Sequence, residues 1–183
     1  NGAGKSTLLS ILGRLLKADS GSARVDGLDL ATTPGDSIAK RLSFLRQDNH
    51  MSARLSVREL VTFGRYPYSK GRYTANDKAH VERAIEFLGL ENLAERFLDE
   101  LSGGQRQRAF IAMVVCQDTD YMLLDEPLNN LDIKHAITIM QLIRDTARQF
   151  GKTVVVVLHD INMAAAYCDH IIIMKNGAVI EHG

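Results

Sequence analysis

Apolar side chains recur along this chain at two spacings. Some stretches place them every three to four residues, which marks amphipathic helices; others hold short unbroken runs, which mark buried strands. Leu8, Leu9, Ile11, Leu12, Leu15 and Leu16 predict one apolar-faced helix near the start. Ser22–Val25 and Leu28–Leu30 flank Asp26-Gly27, a hairpin signal. Thr32–Asp36 reads as a loop, and Arg41–Leu45 as a short strand leading to Gln47. From Ser56 to Glu100 the pattern is helical. Thr74 with Asp77 three residues on resembles a capping box. Val81, Ala84, Ile85 and Leu88 share one helical face, and Leu93, Ala94, Phe97 and Leu98 a second. Tyr66-Pro67-Tyr68 falls in a loop before them.

The second half alternates strand and helix. Ala109 to Val115 is an apolar helical run, Tyr121–Asp125 a short strand, and Ile133 to Phe150 a helix. The Val-rich run Thr153–Leu158 suits a parallel strand covered on both faces. Asp160–Cys168 predicts a helix, and Asn176-Gly177 turns a hairpin between Ile171–Met174 and Val179–Glu181.

Composition narrows the class. Of 183 residues, 45% are hydrophobic, enough for a sizeable core. Lys plus Arg equals Asp plus Glu at 22 each, which argues against a nucleic-acid-binding surface. No apolar run reaches the ~18 residues of a membrane span. Cys116 and Cys168 fall in expected helices without metal-ligand spacing, so both read as free thiols in a reducing compartment. The expectation is a soluble cytosolic α/β protein.

The chemistry sits in four strings. Asn1-Gly2-Ala3-Gly4-Lys5-Ser6-Thr7 is the tail of the phosphate-loop pattern G-x-x-x-x-G-K-[ST]. The first glycine of that pattern would precede Asn1, so the chain is expected to be truncated at its N-terminus, and by its last hairpin at its C-terminus too. In such a loop backbone N–H groups cradle phosphates, Lys5 reaches the β and γ oxygens, and the Ser6 hydroxyl ligates Mg²⁺. In Leu101-Ser102-Gly103-Gly104-Gln105-Arg106-Gln107-Arg108, Ser102 is a natural N-cap at the positive end of a helix. Tyr121–Asp125 ends in a carboxylate that suits a site near Mg²⁺, and Glu126 beside it suits a general base toward water. His159 follows the Val-rich run, where open α/β sheets bind ligands. His50, His80, His135, His170 and His182 have no such context and read as structural.

Taken in order, these strings resemble the ATP-binding cassette (ABC) ATPases, and the resemblance covers nearly the whole chain. It implies an α/β phosphate-loop NTPase with a RecA-like mixed sheet, an antiparallel β edge and an inserted helical subdomain. Within the single domain 1–183 it assigns residues 1–47 and 109–183 to the nucleotide core and 48–108 to the helical subdomain. It implies ATP and Mg²⁺ as cofactors. Asn1, Gly2, Ala3, Gly4, Lys5, Ser6 and Thr7 would hold the nucleotide, with Ser6, Gln47 and Asp125 at the metal. Glu126, His159 and Gln47 would serve catalysis. Ser102, Gly103, Gly104 and Gln105 form the family's signature, which closes on the γ-phosphate held by a second copy, and Asp132 belongs to the loop that speaks across that homodimer. Two departures stand out: Arg46 where many relatives carry proline, and Asn129-Asn130 where Ser-Ala is commoner.

PLNNLDIKH, FGRYPYSKGR and VLHDINMAAAYCDHIIIMKNGAVIEHG resemble the ATPase subunits of ferric-siderophore, haem and cobalamin importers, with the siderophore branch closest. That implies two transmembrane permease subunits, an extracytoplasmic substrate-binding protein acting indirectly, and a peripheral place on the cytoplasmic face of the membrane. Tyr66-Pro67-Tyr68 would be near that partner. Two rivals differ in class. A soluble ABC ATPase of DNA maintenance or translation would carry a long coiled coil or a second cassette. A non-hydrolysing nucleotide sensor would lack Glu126 and His159.

Overall fold

The computed structural model describes residues 2–49 and 53–183; Asn1 and His50 lie outside them. The chain begins with helix α1 (Lys5–Leu12) and a hairpin of β1 (Arg24–Val25) and β2 (Leu28–Asp29). Asp26 and Gly27 both take positive φ, as the predicted tight turn requires. Helix α2 (Gly35–Ala39) begins behind Pro34, inside the stretch expected to be loop throughout, and leads to strand β3 (Leu42–Leu45). Next come α3 (Val57–Phe63), α4 (Tyr66–Ser69) and α5 (Ala75–Phe87). Then follow α6 (Gly103–Cys116), β4 (Tyr121–Asp125), α7 (Ile133–Phe150), β5 (Thr153–Val157), α8 (Ile161–Tyr167) and a last hairpin, β6 (Ile172–Lys175) with β7 (Ala178–His182).

Strand β4 is the axis of the fold. It pairs in parallel with β3 on one side and β5 on the other, Leu45 opposite Leu124 and Val157 opposite Asp125. Successive side chains of a strand point to opposite faces. Leu123 therefore joins a small cluster with Leu9, Leu30, Ile38, Leu42 and Val157, while Met122 and Leu124 join a large one with α3, α5, α6 and α7. Helix α7 contributes Ala136, Ile139, Met140 and Ile143, a single face at helical spacing.

Four further local expectations in this part of the fold need correction. Helix α1 stops at Leu12 because Gly13 packs against Phe44 and Arg14 takes φ +59; Leu15 and Leu16 end half-exposed. Tyr66-Pro67-Tyr68 forms α4 rather than a loop, its proline sitting in the first turn where the missing N–H costs nothing. Leu93, Ala94, Phe97 and Leu98 do not share an α-helix. Leu93 ends one 3₁₀ turn (Glu91–Leu93) and Leu98 starts another (Leu98–Glu100), with Ala94 and Phe97 as their caps; the segment is held by Leu98 N–H donating to Leu55 O and Val57 N–H to Arg96 O. Strand β5 is parallel as expected but not covered on both faces, since Val155 is 40% exposed.

Helix α5 has its capping box, with Asp77 accepting from the Thr74 N–H at 2.9 Å. The same carboxylate receives Arg65 Nε at 3.1 Å, and both side chains are buried. Arg65 also donates to Cys116 O, tying α4, α5 and the end of α6 together. The Thr74 backbone N–H, the Thr74 hydroxyl and then Arg65 hold the Asp77 carboxyl down at about 2. A carboxyl lowered in the folded state stabilises it above the ordinary carboxylate range and loses that contribution as pH falls. Asp77→Ala leaves Arg65 buried without its counter-ion and is expected to cost about 3–5 kcal/mol in urea unfolding at neutral pH. It should also remove the part of acid destabilisation that falls between about pH 4 and pH 2. Wild-type-like stability at neutral pH would contradict the role given to the pair.

Candidate functional site

The parallel register delivers three side chains to one edge of the sheet. Gln47, Glu126 and His159 each follow the C-terminal end of a strand, β3, β4 and β5. Ligands bind at that edge in open α/β sheets. Pro127 disfavours right-handed helix at the residue before it, and Glu126 adopts φ +49, rare for a residue with a side chain. Its carboxylate is held on both oxygens: Gln47 Nε2 donates to Oε2 at 2.7 Å, and His159 Nε2 lies 2.5 Å from Oε1.

Facing this trio is the phosphate-loop segment. Gly2 and Gly4 take φ +76 and +91, so the loop makes two left-handed turns before α1. It is pinned from behind: Gly177 N–H donates to Ala3 O at 3.0 Å, and a Cβ on Gly4 would lie 3.3 Å from Gly177 Cα. Helix α1 has neither a side-chain cap nor an acidic residue in its first turn. Its first N–H groups thus remain donors at a positive helix end, the arrangement that receives phosphate. Gly2, Ala3, Gly4, Lys5, Ser6 and Thr7 line one wall of a cleft of about 720 Å³, and Gln47, Glu126, Asn129 and His159 the other.

At the floor Ser6 Oγ donates to Asp125 Oδ1 at 2.8 Å. Burial raises the Asp125 carboxyl, and the Glu126 charge adds to that, against the lowering effect of the Ser6 bond. Among the described residues no three His, Cys, Asp or Glu side chains gather around a cation position. The Ser6 hydroxyl, the Asp125 carboxylate and the Gln47 amide oxygen are hard donors of the kind Mg²⁺ takes when waters and nucleotide phosphates complete its shell.

The signature lies apart. Ser102 caps α6 in a reciprocal box with Gln105, its Oγ accepting from Gln105 N–H at 3.3 Å and its N–H donating to Gln105 Oε1 at 3.0 Å. None of Ser102, Gly103, Gly104, Gln105 or Asp132 lines the cleft of its own chain. Asp132 caps α7 by accepting from His135 N–H at 2.8 Å. Two residues escaped the sequence reading. Asn129 stands in the cleft wall, where its neighbours in the loop gave a usable signal. His135, read as structural, lies against Gly104, a contact 31 residues distant in sequence. The thiols carry no chemistry here: both cysteines are free, and burial pushes Cys116 up to about 12. Cys168 ends α8 in extended backbone instead of within it.

A model of the family "ABC transporter" matches residues 1–129. The petrobactin import ATP-binding protein YclP of Bacillus subtilis (strain 168) is 51% identical over 183 residues, covering all of this chain and 73% of its own. The petrobactin import ATP-binding protein FatE of Bacillus anthracis is 53% identical over the same span, again with 73% of its length covered. Among solved structures, the dimeric post-hydrolysis state of the ATP-binding cassette MJ0796 bound to ADP and Pi is 30% identical. It superposes with a TM-score of 0.83 over 99% of this chain and 80% of its own.

Proposed function

This chain belongs to the ABC transporter family, and from that premise we propose that it is the ATP-hydrolysing subunit powering import of a ferric siderophore. The observation that carries the hydrolytic role is the Glu126 carboxylate, fixed between Gln47 and His159 across a cleft walled by the phosphate loop; the cargo class rests on the petrobactin-import relatives. A soluble ABC ATPase of DNA maintenance or translation is not favoured, because close relatives are named as import subunits.

The phosphate-loop N–H groups and Lys5 hold the β and γ phosphates of ATP. Ser6, Asp125 and Gln47 would hold Mg²⁺, which would screen phosphate charge. Glu126 accepts a proton from water as the water oxygen bonds to the γ-phosphorus. The bond from that phosphorus to the bridging oxygen breaks, its electron pair stays on ADP, and phosphate leaves. Gln47 and His159 each meet one Glu126 oxygen, and each oxygen keeps a second lone pair with which to receive water. His159 then serves as a donor to the γ-phosphate.

The other face of that phosphate is gripped by Ser102 and Gly104 of a second copy. Ser102 is exposed at the start of α6 and lies outside the cleft of its own chain, which supports this division of labour. Residues 1–47 and 109–183 form the nucleotide core and 48–108 the helical subdomain, which carries closure to two permease subunits on the cytoplasmic face of the membrane. An extracytoplasmic binding protein would feed those permeases. No helix among the described residues is long and apolar enough to cross a membrane.

The test is uptake in cells that lack the chromosomal copy of this gene. The wild-type gene should restore uptake of ferric petrobactin, and Lys5→Ala should leave it at background. Lys5→Ala removes a phosphate-bound charge, so ATP affinity should fall by about tenfold or more. Full uptake with Lys5→Ala, or restored haem or cobalamin uptake without siderophore uptake, would overturn the assignment.

A further inference from the structure

Helices α6 and α7 start side by side, and one side chain joins their first turns. A Cβ built on Gly104 would fall 2.5 Å from His135 Cδ2 and 3.0 Å from its Cγ, so the imidazole rests directly on the Gly104 backbone. Ring carbons do not normally come that close to a side-chain-bearing residue; glycine is what makes room. Gly103 continues the contact, with Leu131 next to it. The imidazole is also oriented from below. Its Nδ1 lies 2.8 and 2.9 Å from the two Asp132 oxygens, while its own backbone N–H donates to Oδ1. Asp132 is lowered from its ordinary value by that backbone N–H first and the imidazole second, so it stays an acceptor at neutral pH.

We propose that His135 is a positioning residue, whose ring, steered by Asp132, sets the stance of Gly104 and so couples the loop that ends at Asp132 to the phosphate-facing end of α6. The coupling is short and stiff. The ring has two rotatable bonds, one face against backbone and one nitrogen against a charged carboxylate. A movement of Asp132 when a second copy arrives is therefore transmitted to the N-terminus of α6 within the same chain. His135 is about half-exposed, so truncating it does not hollow the core. The inference rests on the two-cassette reading above.

The test uses the full chain in the assembled transporter, with three variants. His135→Ala removes ring and nitrogen. His135→Phe keeps a ring over Gly104 without the bond to Asp132. His135→Asn keeps a donor near the Nδ1 position without the ring. The Ala variant should lower kcat for ATP by about tenfold, with KM within about twofold of wild type and Tm unchanged. The Phe and Asn variants should fall between it and wild type. In a Glu126→Gln background, ATP-dependent pairing of cassettes should weaken with His135→Ala. Unchanged kcat in the Ala variant would overturn the proposal. So would a joint fall of kcat, ATP affinity and Tm across all three variants, which marks a merely structural contact. If Glu126→Gln cassettes pair on ATP and the added His135→Ala makes no difference, this inference alone falls. If Glu126→Gln cassettes never pair on ATP, the two-cassette reading falls and takes it along.

Discussion

Glu126→Gln is expected to lower steady-state ATPase activity by about 10²–10⁴-fold while ATP binding survives. The amide keeps the size of the carboxylate and can still meet Gln47 and His159, so the cleft should hold its shape. It cannot take a proton from water at neutral pH, which is the property the reaction uses. The residue is held in a left-handed conformation behind Pro127, so a shorter replacement such as Ala would free the turn as well and confuse the two effects. Turnover of ATP, measured beside nucleotide affinity, separates them. A turnover within about twofold of wild type would remove Glu126 from the role of general base.

Ser102→Arg should leave ATP binding by one cassette near wild type and abolish ATP-driven pairing and transport. Binding is spared because Ser102 stands outside the cleft that its own chain offers to nucleotide. The fold is spared because Ser102 is exposed and its loss costs one helix cap, about 1 kcal/mol. Pairing is lost because a long side chain occupies the surface on which a second copy must lay its γ-phosphate. Light scattering with ATP, alongside equilibrium nucleotide binding, reads both halves. Pairing that persists with Ser102→Arg would move the second grip on the phosphate away from α6.

How legible the site was depended on distance along the chain. The phosphate loop, the signature and the Asp125-Glu126-Pro127 exit are contiguous, and each announces its chemistry through residue types side by side. Gln47, Glu126 and His159 meet because parallel strands deliver their C-terminal ends to one edge, while the signature lies apart from that cleft. Cap residues were legible for the same local reason: Thr74 and Ser102 both cap the helices expected of them, each reciprocally with a residue three positions on.

The failures have a common cause in packing. Nothing local distinguishes Leu15 and Leu16 from Leu8 and Leu9; the helix ends where Gly13 meets Phe44, a residue on another strand. Asp77 satisfied a capping pattern and so hid its second task, the buried pair with Arg65. The valines of β5 predicted cover on both faces, and Val155 is exposed.

The amino-acid order alone therefore determined which family the chain resembles, which residues are expected to meet phosphate and which strands precede them, since those depend on neighbours in sequence and on backbone periodicity. Tertiary structure decided the rest: that Glu126 is clasped on both oxygens and that His135 rests on Gly104. Each of those joins residues tens of positions apart, and only the packing of helices on a sheet fixes such distances.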